Sequence, residues 1–381
     1  MMKIIVGLSG GVDSSVAALL LKRQGYDVEA LYMRNWDSAI NNDLLGNPDL
    51  GRDVCPQEED YLDAVRVAES LGIKLHRHDF VDEYWQNVFS VFLSELRQGR
   101  TPNPDILCNK HIKFSAFLQI AKSLGADKIA MGHYARTTAT ATGTWLLRGV
   151  DRNKDQSYFL CQLTQSQLES TLFPIGELNK TEVRKIAEAA GMLVAGKKDS
   201  TGICFIGERH FSAFIANYLP AKPGAIIAHD KTIIGTHEGL MYYTIGQRRG
   251  LHIGGSRKYG NDPWFVTGKD LSRNELYLAQ GYDHPLLYSN RCILTDINWI
   301  NEAPAARSPL SAKFRYRQRD VQVTLTYLPD QLVQVCYPST SRAVTPGQAC
   351  VVYDGEVCLG GGTIAAVFMN DERRHEGDFH A

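Results

Sequence analysis

The hydrophobic positions of the first half of the chain form short unbroken runs that alternate with longer periodic segments. The short runs, typical of buried strands, lie at residues 3–8, 27–34, 74–80 and 128–131. The periodic segments, with apolar residues three or four positions apart, lie at residues 14–24, 58–71, 82–99 and 112–124. This alternation predicts an α/β domain with a parallel sheet covered by helices on both faces.

The pattern changes after about residue 205. Helical periodicity nearly ends after residues 211–219, and short strands with glycine turns follow, first up to about residue 285 and again from about residue 288. We predict a catalytic domain at 1–205, a small linking domain at 206–285, a small β-barrel or sandwich at 286–370 and a polar tail at 371–381. A polar, glycine-containing loop is predicted at residues 35–57.

Composition places the chain among globular proteins. Of its 381 residues, 44% are hydrophobic and 22% are charged, and the formal net charge is −1. No apolar run approaches the roughly 18 residues of a membrane span, and the first strand leaves no room for a signal peptide. We therefore expect a cytoplasmic protein without membrane association, in which most of the eight cysteines are buried, reduced side chains.

The first strand and helix are joined by a glycine turn in IIVGLSGGVDSSVAALLLKRQG, residues 4–25. Gly10 and Gly11 let the backbone approach an anion, and the following helix directs free N–H groups at it. The lysine of the GxxxxGK[ST] phosphate loop is missing, which disfavours a kinase-like site. Asp13 would repel phosphates unless Mg²⁺ intervenes or the side chain caps the helix. A strand–helix turn without a ligand remains an alternative.

Two cysteines lie in polar, basic segments. Cys108 follows two prolines in TPNPDILCNK, residues 101–110, which we interpret as a stiff loop that presents Asp105 and Cys108. Cys204 lies in KKDSTGICFIGERH, residues 197–210, where lysines favour a thiolate. A buried or incidental thiol is the alternative at both positions, and Cys55 is ambiguous. No CxxC or Cys/His spacing predicts a metal site.

The glycine turn and the two cysteines together limit the reactions that the chain is expected to catalyse. SGGVDS matches the signature of the PP-loop ATP pyrophosphatases, which cleave ATP between the α and β phosphates and transfer AMP to a substrate oxygen. Adenylation makes that oxygen a leaving group. We find no signal for a glutaminase domain that would supply ammonia, and two candidate reactive thiols favour sulfur as the incoming atom.

Several motifs resemble those of the tRNA-specific 2-thiouridylase family, in order from about residue 3 to residue 364. They are SGGVDSS, MRNWDS, GRTPNPDILCNKHIKF, GHYAR, KDQSYFL, STGICFIGER, YTIGQRRGL, RYRQ and PGQACVVYDG. The resemblance implies a PP-loop nucleotide-binding domain of the adenine nucleotide α-hydrolase type, then a linking domain and a C-terminal β-barrel. Leu8 replaces a methionine often found before SGG, and the loop at 37–57 is longer than in many members.

The family's reaction is an ATP-dependent thiolation of the wobble uridine in the tRNA anticodon. The resemblance implies that the chain adenylates the 2-carbonyl and replaces its oxygen with persulfide sulfur, releasing AMP and pyrophosphate and requiring Mg²⁺. It implies tRNA as the substrate. The sulfur would come from a cysteine desulfurase, directly or through a persulfide relay protein.

The same resemblance assigns roles to particular residues. Cys204 would carry the persulfide, and Cys108 would act as the nucleophile and form a transient disulfide with Cys204. ATP would contact Gly7, Leu8, Ser9, Gly10, Gly11, Val12, Asp13, Ser14, Met33 and Gly132. The flipped uridine would contact Asn103, Pro104 and Asp105, with Asp105 also in the catalytic group. The remaining tRNA contacts would be His133, Lys154, Asp155, Gln156, Arg315, Tyr316 and Gln348. No residue is assigned as a metal ligand.

Basic residues support an RNA partner independently of the resemblance. In SAKFRYRQRDVQV, four cations recur at every second position, which predicts one basic strand face with Phe314 and Tyr316 on the other face. They are Lys313, Arg315, Arg317 and Arg319. A second basic cluster lies at residues 246–252 and 256–258. A merely solvated basic face is the alternative.

Two other functions fit parts of the pattern. The first is a PP-loop amidotransferase or ligase that acts on a small molecule, which ammonia- or amino-acid-dependent pyrophosphate release would support. The second is a non-catalytic RNA- or nucleotide-binding protein. SGGVDS together with the PNPD motif and both polar cysteines disfavours the second function.

Overall fold

The computed structural model describes residues 1–48, 56–198, 209–254, 258–306 and 309–375. Cys55 and Cys204 lie outside these ranges. The helices are α1 (Val12–Arg23), α2 (Pro56–Leu71), α3 (Val81–Tyr84), α4 (Ser90–Arg97), α5 (Pro104–Cys108), α6 (Phe117–Ser123), α7 (Gln165–Glu169), α8 (Lys180–Ala189) and α9 (Phe211–Ala216). Two π-helical stretches, Trp85–Phe89 and Asn109–Ala116, join α3 to α4 and α5 to α6. Short 3-10 helices occupy Ser157–Leu160, Leu240–Tyr242 and Pro285–Leu287.

The strands divide into three sheets. The first sheet contains β1 (Lys3–Gly7), β2 (Asp27–Arg34), β3 (Leu75–Asp79), β4 (Lys128–Ala130) and β7 (Thr171–Leu172), and a hairpin is formed by β5 (Ala135–Thr140) and β6 (Gly143–Arg148). The second sheet contains β8 (Gly224–Ala228), β9 (Ile233–His237), β10 (Trp264–Asp270) and β11 (Glu275–Gln280). The last sheet contains β12 (Tyr288–Trp299), β13 (Leu310–Lys313), β14 (Val321–Tyr327), β15 (Val333–Arg342), β16 (Ala349–Asp354), β17 (Val357–Met369) and β18 (Glu372–Arg374).

The first sheet confirms the predicted parallel α/β arrangement. Its strand order is β3-β2-β1-β4-β7, and every neighbouring pair is parallel. The chain moves outward from β1 to β3 and then returns to the other side of β1 to form β4. The strand order therefore reverses between β1 and β4, and ligands of open α/β sheets bind outside the carboxyl ends of strands at such a point. The glycine turn follows β1 at this reversal.

Both faces of this sheet are buried. Ile4 and Val6 of β1 face one apolar core with α1 and α2, whereas Ile5 faces a second core that includes Trp36, Phe89 and the helix after α5. Alternate residues of one strand thus enter different cores, as strand geometry requires.

The last two sheets confirm the predicted linking domain and β-barrel as folds. The linking sheet has the order β10-β11-β8-β9. In the last sheet, β12-β15-β14-β13-β16-β17 closes into a barrel because β12 also pairs with β17. The hairpin of β5 and β6 joins this sheet through β6 and β17, although it lies within the predicted first domain. The domain boundaries themselves stay predictions.

Two local predictions were wrong. The basic strand ends at Lys313, and residues 314–320 turn back toward β14. The Gln318 side chain stabilises this turn by accepting a hydrogen bond from the Phe314 N–H at 3.0 Å. Residues 104–108 form a helix and not a stiff loop, because Asn103 caps it and Pro104 occupies its first turn.

The first half of the predicted 35–57 loop is packed against α9. The backbone N–H of Leu45 donates to the Asn217 side chain at 2.9 Å, and Asp43 is fully buried. In the part of the chain that the structure describes, no helix is long and apolar enough to cross a membrane.

Candidate functional site

The glycine turn between β1 and α1 requires glycine at position 10. Gly10 has φ of +73°, in the left-handed region, and a Cβ there would lie 2.2 Å from the Asp60 carbonyl oxygen of α2. Gly11 is the N-cap of α1 and supplies no side-chain cap. The turn therefore brings an uncapped helix N-terminus close to the sheet edge, which is an arrangement suited to phosphate.

Hydroxyl groups line this turn. The backbone N–H of Ser9 donates to Ser14 Oγ at 3.2 Å, and Ser14 Oγ donates to the Gly11 carbonyl at 3.1 Å. Ser15 Oγ donates to the same carbonyl at 2.8 Å. Ser14 and Ser15 are buried, whereas Ser9 is exposed. Ser9 is therefore the hydroxyl of this group that faces solvent.

Asp13 forms an ion pair and does not cap α1. Lys180 Nζ lies 2.7 and 2.8 Å from the two carboxylate oxygens of Asp13, and the Tyr134 hydroxyl donates to Asp13 Oδ1 at 2.8 Å. Lys180 begins α8, 167 residues away from Asp13 in sequence. The turn that has no lysine of its own thus receives one from a distant helix.

A second lysine reaches the turn from the other side. Lys197 Nζ donates to the Gly10 carbonyl at 3.2 Å and pairs with Asp60 and Asp63 of α2 at 2.7 Å each. Burial lowers the pKa of Lys197, but the hydrogen bonds to Asp60 and Asp63 outweigh burial and raise that pKa above its ordinary value. Lys197 is therefore a permanent cation beside the glycine turn.

Lys180 was not predicted from the sequence, and Lys197 was considered only as a neighbour of Cys204. One sequence signal was available for Lys180, which is the first residue of a helix with a capping box formed by Asn179 and Glu182. A cation at a helix N-terminus opposes the helix dipole. A residue that breaks a local rule in this way is a candidate for function.

Two residues predicted to contact adenosine lie beside the turn. A Cβ on Gly132 would lie 2.8 Å from the Ser14 backbone nitrogen, so the chain after β4 packs against the start of α1. A Cβ on Gly7 would meet Met131 Sδ at 2.6 Å and Met33 Cε at 3.6 Å. Gly7, Met33 and Gly132 therefore surround the C-terminal ends of β1, β2 and β4. Leu8 and Val12 are buried beneath the turn.

The residues predicted to receive the uridine lie on α5. The Asn103 side chain accepts hydrogen bonds from the backbone N–H groups of Asp105 and Ile106 at 3.2 and 3.3 Å. Asp105 and Cys108 are three residues apart on this helix and share one face. Asn103 thus has a structural role as a helix cap, beside any role in substrate binding.

The expected polar, basic setting of Cys108 was wrong. Cys108 is fully buried in the same apolar core as Phe114 and Phe117. The neighbouring lysines in sequence misled the prediction, because Lys110 points away and donates to Gln162 Oε1 at 3.1 Å. A π-helical stretch follows Cys108 directly, and such stretches are frequent at functional sites.

The ends of the segment that carries Cys204 are anchored on described residues. On one side, Lys197 contacts the glycine turn at the Gly10 carbonyl. On the other side, Arg209 forms a buried ion pair with Asp43, with the Arg209 Nη2 to Asp43 Oδ2 distance at 2.9 Å. The pairing of Cys108 with Cys204 stays a prediction, because Cys204 lies outside the described ranges.

Residues 132–134 connect the glycine turn with the helix after Cys108. Gly132 packs on α1 and Tyr134 donates to Asp13, while the His133 ring lies 5.6 Å from the ring of Phe114. Burial, and then the charge of Lys113, lowers the pKa of His133 well below its usual range, so this imidazole is neutral at pH 7.

The predicted tRNA residues of the KDQ motif are largely engaged in the fold. Asp155 is buried, and its Oδ1 accepts from the backbone N–H groups of Gly149 and Ser157 at 3.0 and 3.1 Å. Gln156 accepts from the Tyr134 N–H at 2.9 Å, and Lys154 is half-buried. Asp155 and Gln156 therefore position the backbone of this surface through hydrogen bonds within the fold.

The barrel brings two further predicted tRNA residues toward α5. The Tyr316 ring packs 4.5 Å from Phe159, whose carbonyl accepts from the Asn109 side chain at 3.0 Å. Burial, and then the Asp155 carboxylate, raises the pKa of Tyr316 to about 12, so its hydroxyl stays protonated at neutral pH. Gln348 donates to the Thr101 carbonyl at 2.7 Å and thus holds the segment before Asn103.

The two basic clusters differ in which of their charged side chains are exposed. Arg315, Arg317 and Arg319 are exposed, whereas Lys313 is half-buried. In the linking domain, Arg248 and Arg249 are exposed, but Lys258 Nζ pairs with Asp230 at 2.7 Å. The exposed arginines, more than the lysines, carry the positive charge of these surfaces.

The glycine turn fits a nucleoside triphosphate. Glycine is sterically required at position 10, the α1 N-terminus is uncapped, and the ammonium groups of Lys180 and Lys197 lie beside the turn in ion pairs with Asp13, Asp60 and Asp63. Among the described residues, no group of three or more His, Cys, Asp or Glu side chains forms a metal site. A Mg²⁺ ion at this turn would be held mainly by phosphate oxygens, because the Asp13 carboxylate is already paired with Lys180.

Models of known families match the chain along most of its length. Residues 2–208 match the tRNA methyl transferase HUP domain, residues 212–280 the tRNA methyl transferase PRC-barrel domain, and residues 289–364 the aminomethyltransferase beta-barrel domain.

Relatives align nearly end to end. The tRNA-specific 2-thiouridylase MnmA of Acholeplasma laidlawii is 55% identical over 372 residues, covering 98% of each chain. The protein of the same name from Lacticaseibacillus paracasei is 54% identical over 97% of this chain and 95% of its own. A solved 4-thiouridine synthetase–RNA complex with bound ATP aligns at a TM-score of 0.32 and 15% identity, over 55% of this chain and 46% of that chain.

Proposed function

This chain belongs to the tRNA-specific 2-thiouridylase family, and we propose that it thiolates the wobble uridine of tRNA anticodons in the cytoplasm. The reaction consumes ATP and yields 2-thiouridine, AMP and pyrophosphate. The substrate is assigned from the relatives, which share more than half of their residues with this chain. The observation that carries the mechanism is the glycine turn at the strand-order reversal with its two distant lysines.

The first half of the reaction is adenylation. The 2-carbonyl oxygen of the uridine attacks the α-phosphorus of ATP, and the bond to the β-phosphate oxygen breaks to release pyrophosphate. The turn residues Gly10 and Gly11 and the α1 N-terminus hold the phosphates, and Lys180 lies beside them. Lys197 fixes the turn itself by joining the Gly10 carbonyl to Asp60 and Asp63. Mg²⁺, when bound, would further neutralise the charge that develops on the pyrophosphate.

The second half replaces the activated oxygen. The terminal persulfide sulfur on Cys204 bonds to C2 of the base and AMP leaves. The Cys108 thiolate then attacks the Cys204 sulfur, which frees the thiocarbonyl and leaves a Cys108–Cys204 disulfide. A dithiol reductant returns both thiols, and a cysteine desulfurase or relay protein reloads Cys204. Since Cys108 is buried, α5 must expose it when tRNA binds.

The uridine enters beside Asp105, on the face of α5 that also carries Cys108. A base must flip out of the RNA to reach such a recessed thiol. Flipping a base from an anticodon loop costs less free energy than flipping one from a duplex. The linking domain and the barrel bind the tRNA backbone through Arg248, Arg249, Arg315 and Arg317, all of which are exposed.

The direct test combines the chain with ATP, Mg²⁺, a persulfide donor and unmodified tRNA. We expect 2-thiouridine, AMP and pyrophosphate in equal amounts, measured by nucleoside mass spectrometry and phosphate release. A tRNA with cytidine at the wobble position is the matched control and should give no thiolated product. Pyrophosphate release with ammonia or an amino acid but not with tRNA would support the small-molecule ligase instead.

The double variant Arg315→Ala/Arg317→Ala should weaken tRNA binding and reduce its salt dependence. Each lost phosphate contact lowers the slope of log K against log salt by about 0.7–0.9, so the double variant should lose about 1.5. Fluorescence anisotropy at several salt concentrations measures this slope. Arg23→Ala, which removes an exposed arginine at the far end of α1, is the control. An unchanged slope would exclude this turn from the tRNA interface.

A further inference from the structure

The segment at residues 99–102, which leads directly into Asn103 and α5, is held by both other domains. We call it the approach segment. From the linking domain, Lys269 Nζ donates to the Gly99 carbonyl at 2.8 Å, and Thr244 Oγ1 lies 3.3 Å from Thr101 Oγ1. These contacts join positions more than 140 residues apart in sequence.

The barrel forms hydrogen bonds with the other side of the approach segment. The Thr101 N–H donates to the Pro346 carbonyl at 2.9 Å, and Gln348 donates to the Thr101 carbonyl at 2.7 Å. Gly347 has φ of +91°, and a Cβ there would lie 2.8 Å from the Thr101 nitrogen. The approach is therefore so close that it requires glycine in the barrel turn.

Lys269 is the buried cation of this junction. It lies on β10 with only 6% of its surface exposed, and it borders a cavity of about 510 Å³ formed by all three domains. Arg97 and Gly99 line the cavity from the first domain, and Pro346 lines it from the barrel. No carboxylate among the described residues forms an ion pair with Lys269 Nζ, and its hydrogen-bond acceptor is the main-chain carbonyl of Gly99.

We propose that Lys269 is a positioning residue for catalysis, which fixes the start of the approach segment and thereby the placement of Asp105 and Cys108. The linking domain would then contribute to the chemical step and not only to tRNA binding. The inference deepens the proposed function and rests on it, because Asp105 and Cys108 act in thiolation only if that function holds.

Few other charges act on this amine. Burial lowers the pKa of Lys269 to about 7. Asp270 is adjacent, but its carboxylate accepts hydrogen bonds from Ser272 and from the Arg273 N–H. Arg100 pairs with Glu95, and Arg97 is exposed to solvent. His375 contacts Lys269 through its backbone, and burial lowers the pKa of its imidazole to about 4, so it is neutral near pH 7.

The sign of the pH effect follows from this pKa. The folded chain releases the Lys269 proton near pH 7, whereas the unfolded chain keeps it until above pH 10. Burial of Lys269 therefore lowers the free energy of unfolding most at pH below 7. That free energy rises as the pH increases from about 7 to about 10. The protonated amine, however, donates the stronger, charge-assisted hydrogen bond to Gly99. Stability and positioning thus respond to pH in opposite directions.

The test compares Lys269→Met with the wild-type chain. Methionine retains the length and packing of the side chain but cannot donate, so we expect an unchanged or higher melting temperature at pH 6. At that pH, kcat for thiolation should fall about tenfold with KM for ATP unchanged. The ratio of wild-type to variant kcat should shrink as the pH rises from 6 to 8.5. Hydrogen exchange of amides at residues 101–108 should accelerate, while that of α1 should not.

The control is Lys222→Met, which removes an exposed lysine of the same domain and should match the wild type in every measurement. A lower melting temperature, together with faster exchange of the slowly exchanging amides throughout the chain, would show a purely structural role and overturn the inference. So would a kcat ratio independent of pH. If the wild-type chain fails to thiolate tRNA, the proposed function fails, and the exchange of residues 101–108 alone then decides whether Lys269 holds the approach segment.

Discussion

Cys108→Ser should abolish persulfide-dependent thiolation, with kcat reduced at least about a thousandfold, and should leave ATP binding intact. A serine hydroxyl cannot attack the Cys204 sulfur and form the disulfide, so the sulfur is not freed from the enzyme. The measurement is single-turnover formation of 2-thiouridine from enzyme preloaded with persulfide, together with ATP binding by calorimetry.

A buried cysteine also contributes to packing, and a matched control separates the two effects. Cys161 is fully buried in the same apolar core as Cys108, and burial raises the pKa of its thiol well above the usual range. Cys161→Ser should thus cost similar stability but retain activity. Cys204→Ser should behave as Cys108→Ser does. If Cys108→Ser and Cys204→Ser both remain active, the two-thiol mechanism is wrong.

The sequence predicted those parts of the fold that depend on neighbouring residues. The run at 27–34 was predicted as a strand and is observed as Asp27–Arg34. The glycine turn was predicted at the end of β1 because paired glycines after an apolar run mark a tight turn. The segment 82–99 was predicted as one helix, and α3, the π-helical stretch and α4 run continuously through it. Local periodicity does not reveal a π-helical stretch, because the apolar stripe continues through it.

Two interpretations near Cys108 failed because one local pattern fits two structures. Asn followed by Pro is typical both of a stiff loop and of an N-cap followed by the first helical turn, and here the helix forms. The flanking lysines suggested a polar setting, but the orientation of a helix against its core determines which side chains are buried. Cys108 faces the core, while Lys110 reaches Gln162.

The rest of the candidate site depends on contacts that sequence spacing does not encode. Lys180 meets the glycine turn because α8 packs on α1, and Lys197 meets it because the chain after α8 reaches Asp60 and Asp63 of α2. Lys269 meets Gly99 only because three domains share a junction. Alternating arginines predicted a strand face, whereas Gln318 forms a turn after Lys313. The three arginines are nevertheless exposed, because a turn exposes side chains as well as a strand face does.

We propose that Lys180 takes the role that the phosphate-loop lysine has in P-loop proteins. In a P-loop the lysine is part of the turn itself, so its position is fixed by the local backbone. Here the cation begins another helix and is held by Asp13 and by the ring of Tyr134, which lies 5.9 Å from Nζ. When phosphates bind, we expect the ammonium group to contact them from its position beside Asp13.

Lys180→Met should therefore weaken ATP binding about 10- to 100-fold while AMP binding changes little. The reason is that the variant loses a charge-assisted hydrogen bond to the phosphates beyond the α position, which AMP lacks. Calorimetry with ATP and AMP measures both affinities, and the rate of pyrophosphate release with tRNA should fall by at least the same factor. Lys180→Arg, which keeps the charge with a different shape, should retain part of the ATP affinity.

Lys185→Met supplies the comparison, since Lys185 lies on the same helix but is exposed to solvent. It should bind both nucleotides as the wild type does. Equal losses for ATP and AMP in Lys180→Met would indicate that Lys180 only supports Asp13 and the fold of the turn. No loss for either nucleotide would place the phosphates elsewhere, because a cation that close to an occupied phosphate site must contribute to binding.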